Sequence, residues 1–151
     1  VELPLPGSQE GMSSPLDPER LAQLGLKWWP RVITYQDACH LAHGQGIRQQ
    51  PRDLLRQLPV EIRPLRDADT CCGSAGIYNL VQYEMSMKIL AKEIAAIEET
   101  GADTVVTANP GCYLQIQHGL ERFGLAERVQ VVHIADLLDA FTEARQIKGS
   151  I

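Results

Sequence analysis

Thr104-Val-Val-Thr107, Ala108-Asn109-Pro110-Gly111, and Cys112 to Phe123 closed by Gly124 spell out one structural unit. The first four residues are a β-branched run and read as a short buried strand. The next four are turn formers. Cys112 to Phe123 is helical, and Gly124 supplies the stop. This unit also puts a cysteine just past the end of a strand, where a helix begins.

The same grammar extends in both directions. Downstream, Val129-Gln-Val-Val132 is a further strand and Ile134 to Ile147 an amphipathic helix. Upstream, residues 76–99 predict the longest helix: Leu80, Met87, Leu90, Ile94 and Ile97 recur at helical spacing, and Gly101 follows as a C-cap. Val60-Glu-Ile-Arg-Pro-Leu65 alternates apolar and polar residues, with Pro64 marking it as an edge strand. Residues 52–58 predict a helix with Leu54, Leu55 and Leu58 on one face, and Arg31-Val-Ile-Thr-Tyr-Gln36 a strand. Strand–helix alternation repeated four times predicts an α/β fold, a mainly parallel four-stranded sheet with helices on its faces. Residues 1–30 read as an irregular entry segment or linker, broken by Pro4, Pro6, Gly7, Gly11, Pro15 and Pro18, with a short helix capped by Asp17. Residues 31–151 form the domain proper. Trp28 and Trp29 are expected to pack against it; an apolar surface for another domain or partner is the other reading.

The chain has 151 residues, 44% hydrophobic and 22% charged, with a net charge of −5. That balance suits one globular domain and excludes whole-chain disorder. No apolar run approaches the ~20 residues of a membrane-spanning helix. The scattered Arg and Lys give no basic stripe, which argues against nucleic acid as a partner. The chain opens at Val1 with no basic and apolar leader pattern, and reads as a piece of a longer protein.

Four cysteines dominate the chemistry: Cys39, Cys71, Cys72 and Cys112, with 31 residues between the first and second and 39 between the last two. Each follows a predicted strand. Parallel strands carry their C-terminal ends to one edge, where open α/β sheets bind ligands. The thiols are therefore expected to cluster at the C-terminal edge. Their loops are glycine-containing: Cys39-His40-Leu-Ala-His43-Gly-Gln-Gly46, Cys71-Cys72-Gly73-Ser-Ala-Gly76 and Asn109-Pro-Gly111-Cys112. Helix N-termini in such loops favour thiolates. An iron–sulfur centre and a structural zinc ion both take thiolate ligands, and spacing alone does not separate them. A catalytic thiol paired with His43, His118 or His133 is a third reading. The paired C-x2-C knuckles of zinc modules are absent, and Gly44-Gln45-Gly46 is not a dinucleotide fingerprint.

The layout C-x31-CCG-x38-C resembles the cysteine-rich "CCG" domain of iron–sulfur oxidoreductase subunits, the family of heterodisulfide reductase, anaerobic glycerol-3-phosphate dehydrogenase, lactate-utilisation and glycolate oxidase subunits. The words Cys39-His-Leu-Ala-His-Gly-Gln-Gly-Ile-Arg48, Cys71-Cys-Gly-Ser-Ala-Gly-Ile-Tyr-Asn79 and Asn109-Pro-Gly-Cys112 look most like the glycolate oxidase iron–sulfur members, over roughly residues 31–141. The resemblance implies a non-catalytic electron-transfer component of a 2-hydroxy-acid oxidase, fed by a flavoprotein (FAD) subunit that turns glycolate into glyoxylate and passing electrons towards an acceptor such as quinone. It implies Cys39, Cys71, Cys72 and Cys112 as ligands of an iron–sulfur cluster of the [4Fe-4S] kind, with zinc as the alternative. His40 and His43 would stand behind the ligands, and Gly73, Gly76 and Gly111 would shape the loops. It implies a cytoplasmic protein that leaves room for association with the inner face of the membrane through its complex, and further partners in the rest of its own longer chain. Two departures stand out. The complete pattern ends in C-x2-C, but position 115 is Gln115; and Ala38 stands where a proline commonly precedes the first cysteine. The first motivates a rival, a metal-free or zinc-stabilised docking module with vestigial cysteines.

Overall fold

The computed structural model describes residues 14–37, 45–66 and 82–149. The elements are α1 (Pro18–Gln23), β1 (Val32–Gln36), α2 (Gln49–Arg56), β2 (Glu61–Ile62), α3 (Tyr83–Thr100), β3 (Thr104–Thr107), α4 (Pro110–Arg122), β4 (Gln130–His133) and α5 (Ile134–Gly149). The four strands form one all-parallel sheet in the order β2-β1-β3-β4, as the alternation predicts. After β2 the chain crosses back to the other side of β1, so the strand order reverses between β1 and β3. Ligands gather at such a reversal, beyond the strands' carboxyl ends.

Strand residues alternate between two helical layers. Ile33, Tyr35, Val106 and Val132 face a core with Leu21, Leu24 and Leu26 around α1, Leu55 of α2, and Leu137, Ala140 and Phe141 of α5. Val105 and Val131 face the other core, with Leu90, Ile94 and Ile97 of α3 and Ile116 and Leu120 of α4. Each fully buried Leu or Ile contributes roughly 1.5–3 kcal/mol by leaving water. Gly119 lets α3 and α4 approach: a Cβ there would stand 2.8 Å from Ile94 side-chain carbons.

Helix ends follow their caps. Asp17 accepts from Arg20 N–H at 2.7 Å and opens α1. Gly101 closes α3 in the left-handed region, φ +69°. The expected 76–99 helix is corrected at its start: Gln82 is a non-helical N-cap and α3 begins at Tyr83, while residues 76–81 lie outside the described residues. Two further expectations need correction. Helix α2 begins at Gln49, not 52, because Pro51 is tolerated in a first turn where its missing N–H is not needed. Its inner face is then Pro51 and Leu55, while Leu54 is exposed. Strand β2 is two residues long rather than six. Arg63 N–H still reaches Ile33 O at 2.9 Å, but Pro64 has no donor to continue the ladder. β2 does lie at the sheet edge. Trp29 packs on Phe141, ring centroids 4.5 Å apart.

Asp103, just before β3, ties the two central strands together at their start. Its buried carboxylate accepts from Val32 N–H at 3.1 Å, Arg31 N–H at 3.3 Å and Thr104 Oγ1–H at 2.6 Å. Burial pushes its pKa above the usual 3.8, and these hydrogen bonds only partly oppose that. A raised folded-state pKa means the native state holds the proton longer than the unfolded chain. Native stability therefore falls as pH rises from the unfolded value through the folded one. The melting temperature of Asp103→Asn minus that of the wild type is expected to increase over that interval. A difference independent of pH would show the carboxyl to be unshifted.

Candidate metal centre

The described part of the C-terminal edge is built by Gln36, Thr107 and His133, the last residues of three parallel strands, with Gln36 opposite Thr107 and Thr107 opposite His133. Beyond Thr107, Asn109 caps α4. Its Oδ1 accepts from Gly111 N–H at 2.7 Å and Cys112 N–H at 3.3 Å, with Pro110 as the first helical residue. Asn before Pro enforces this start, since the proline fixes the first helical φ and removes a donor that would go unused. The cap brings Cys112 into the first turn of α4, where it is 3% exposed. The N–H groups of that turn and the helix dipole favour a negative sulfur at that position.

Gln115 is one helical turn along from Cys112, on the same face, and is also buried. Its Nε2–H donates to Ser86 Oγ at 3.1 Å. Ser86 belongs to the first turn of α3. The helix reached from Cys71 and Cys72 is thus held beside the turn that carries Cys112.

On the other face of β1, Tyr35 and Asp37 meet α2. Arg52 grips the buried Asp37 carboxylate with two bonds, 2.8 and 2.9 Å, and its guanidinium carbon lies 5.1 Å from the centre of the Tyr35 ring. Burial pushes the Tyr35 phenol up to about 12; the negative charges of Asp37 and Cys112 add to this and Arg52 opposes it. The Tyr35 hydroxyl has no hydrogen-bond partner among the described residues. Gln36 is fully buried; its Oε1 accepts from Thr107 Oγ1–H at 2.9 Å, and its Nε2 has no partner among the described residues.

Of the ligand and loop residues singled out by sequence, the described region holds Cys112, buried, and Gly111, exposed, both in the first turn of α4. Cys39, His40, His43, Cys71, Cys72, Gly73 and Gly76 lie outside the described residues. Among the described residues no three His, Cys, Asp or Glu side chains stand together as a metal cage. His133 lies at the edge, its Nδ1 accepting from Ala135 N–H at 3.1 Å. His118 is exposed on α4, six residues from Cys112 and hence about 120° around the helix from it. His118 is not a base for that thiol. Gln36, Tyr35 and the Arg52–Asp37 pair were not singled out by sequence. The available signal was a run of polar groups closing an apolar central strand.

Among the described residues the edge offers one buried thiol, Cys112 in the first turn of α4, and one buried amide donor, Gln36 Nε2, with no partner there. Zinc fits the thiols as well as iron does. Among the described residues no helix is long and apolar enough to cross a membrane.

Comparison with known proteins finds relatives of this chain. The chain is 53% identical over 110 residues to the "Probable glycolate oxidase iron-sulfur subunit" of Bacillus subtilis (strain 168), covering 72% of this chain and 25% of that protein. It is 34% identical over 122 residues to a subunit of the fumarate reductase (CoM/CoB) of Methanothermobacter marburgensis, covering 80% and 25%. It is 30% identical over 112 residues to "Lactate utilization protein A" of Bacillus cereus, covering 74% and 46%. The chain thus spans a quarter to a half of the length of these relatives. The model of the CCG cysteine-rich domain matches residues 33–117, more than half of the sequence, and the chain belongs to that family.

Proposed function

We propose that this domain is the electron-transfer part of an iron–sulfur subunit serving a 2-hydroxy-acid oxidase of the glycolate oxidase kind. Cys39, Cys71, Cys72 and Cys112 would hold a cluster, of the [4Fe-4S] type, which when bound supplies one-electron redox chemistry. The observation that carries the reading is the buried Cys112 thiol on the first turn of α4, beside the strand-order reversal. Cys39 follows Gln36, the last residue of β1, by three residues in the sequence. The names of the relatives, two of them iron–sulfur or redox subunits, support the chemistry.

The protein's own residues have definable tasks in this reading. The α4 dipole and the Asn109 cap favour the Cys112 thiolate. The Ser86–Gln115 bond fixes the α3–α4 approach. His40 and His43 would hydrogen-bond to ligands, and Gly73, Gly76 and Gly111 would let backbone come close. Residues 31–151 would be the cysteine-rich domain and 1–30 the lead-in from the rest of a longer chain. A flavoprotein (FAD) subunit would deliver electrons from the hydroxy acid, and a quinone would receive them, at the inner face of the cytoplasmic membrane.

One observation favours a second reading. Gln115 replaces a family cysteine, and its amide nitrogen is engaged by Ser86. A zinc-bound or metal-free docking module for the flavoprotein subunit would need no fifth thiolate. Anaerobic purification with iron, zinc and acid-labile sulfide measured per chain separates the two. Iron and sulfide in near-equal amounts, with a broad bleachable band near ~400 nm, is the expected result. Zinc alone, or a folded chain without metal, would replace the electron-transfer reading by the docking one.

A further inference from the structure

We propose that Gln36 is a positioning residue whose Nε2–H donates a hydrogen bond to a sulfur of the group held at the C-terminal edge, making that group easier to reduce. The inference rests on the electron-transfer reading above.

Gln36 is fully buried as the last residue of β1, one of the two strands that flank the order reversal. Its side chain is on the same sheet face as that of its register partner Thr107. That face is the one covered by α3 and α4, and α4 carries Cys112 on its first turn. Thr107 Oγ1–H donates to Gln36 Oε1 at 2.9 Å. The Nε2 end is then turned away from Thr107, and it has no partner among the described residues.

A buried amide donor left unpaired destabilises the fold, because it has given up water for nothing. At an edge built to gather thiols, sulfur is the acceptor that would remove this cost. An N–H aimed at sulfur stabilises added negative charge, so it favours the reduced state; hydrogen bonds to the sulfurs are one of the means by which proteins set cluster potentials. Thr34 Oγ1 is a contrasting case. It is likewise buried without a partner among the described residues, but it lies mid-strand on β1, two residues short of the edge.

The test uses the full 151-residue chain, purified anaerobically and reconstituted with iron and sulfide, with Gln36→Glu and Gln36→Met beside the wild type. Gln36→Glu keeps an acceptor for Thr107 and removes the amide donor. Gln36→Met removes both without adding charge. Iron and sulfide per chain are measured first, then the midpoint potential by an EPR-monitored titration. Both variants are expected to bind iron and to shift the one-electron reduction equilibrium about tenfold towards the oxidised state, ~59 mV to more negative potential. Unchanged potentials in both would overturn the inference and leave water as the partner of the amide. A shift in Gln36→Met alone would also overturn it, assigning Gln36 the structural task of holding Thr107. A shift in Gln36→Glu alone would overturn it as an effect of the new charge. If the wild type takes up no iron and sulfide, the electron-transfer reading itself fails and the inference falls with it.

Discussion

Replacing Arg52 with alanine is expected to lower stability by about 3–5 kcal/mol, the cost of leaving a buried carboxylate without its counter-ion. Asp37 has a side chain only 5% exposed, and Arg52 meets both of its oxygens. Surface pairs of the same composition contribute about 0–1 kcal/mol. The pair Arg56–Asp53, some 60% exposed on both sides, provides that comparison within the same helix: Arg56→Ala should cost little. Arg52 also covers the Tyr35 ring and donates to Arg48 O at 2.6 Å, so its loss opens the β1–α2 contact as well. Urea denaturation should show a lower midpoint at an unchanged slope. Removing both partners, Arg52→Ala with Asp37→Ala, should recover much of the loss because no orphan charge is left. A single-mutant loss below about 1 kcal/mol would mean that water reaches Asp37.

Cys112→Ser is expected to abolish stoichiometric binding of iron and sulfide while the chain stays folded. Serine is nearly the size of cysteine and continues to fit the first turn of α4, but its hydroxyl is a far weaker ligand for a soft metal group than a thiolate. Far-UV circular dichroism reports the fold and a metal assay the site. Gln115→Cys provides the opposite change: one turn from Cys112 and buried beside Ser86, it restores the C-x2-C ending and should at least retain iron. Full iron and sulfide in Cys112→Ser would remove Cys112 from the ligand set and break the link between the described edge and the chemistry.

Much of the fold was legible because it depends on local signals. Asp17, Gly101 and Asn109-Pro110 act within a few residues of themselves, and each marks the helix boundary it announces. Val105 and Val106 read as buried strand and are buried, and Val131 and Val132 read as strand and lie in β4. The reading of α2 went astray because Leu54, Leu55 and Leu58 are all apolar, and only packing against β1 decides which faces inward. The all-parallel order of the sheet followed from the strand–helix alternation. The interactions that finish the site were not legible. Gln36 and Thr107 are 71 residues apart, Ser86 and Gln115 29, and Asp37 and Arg52 15. Each is a pair of ordinary polar residues with no motif of its own, and register rather than composition makes them neighbours.

The pairing of β1 with β3 has a kinetic consequence. Ile33 and Thr104 are register partners 71 residues apart, against 29 for Val32 and Glu61 and 26 for Thr104 and Gln130, so the centre of the sheet is its least local contact. Closing so large a loop costs chain entropy before the strands repay it, and topologies of this kind fold slowly. On a ribosome, β1 must wait for β3 to be synthesised, and Cys39 travels with β1. The Asp103 bonds to Arg31 and Val32 act as a latch on that late step. The edge that carries Cys112 is thus completed only after β3 has been made and paired.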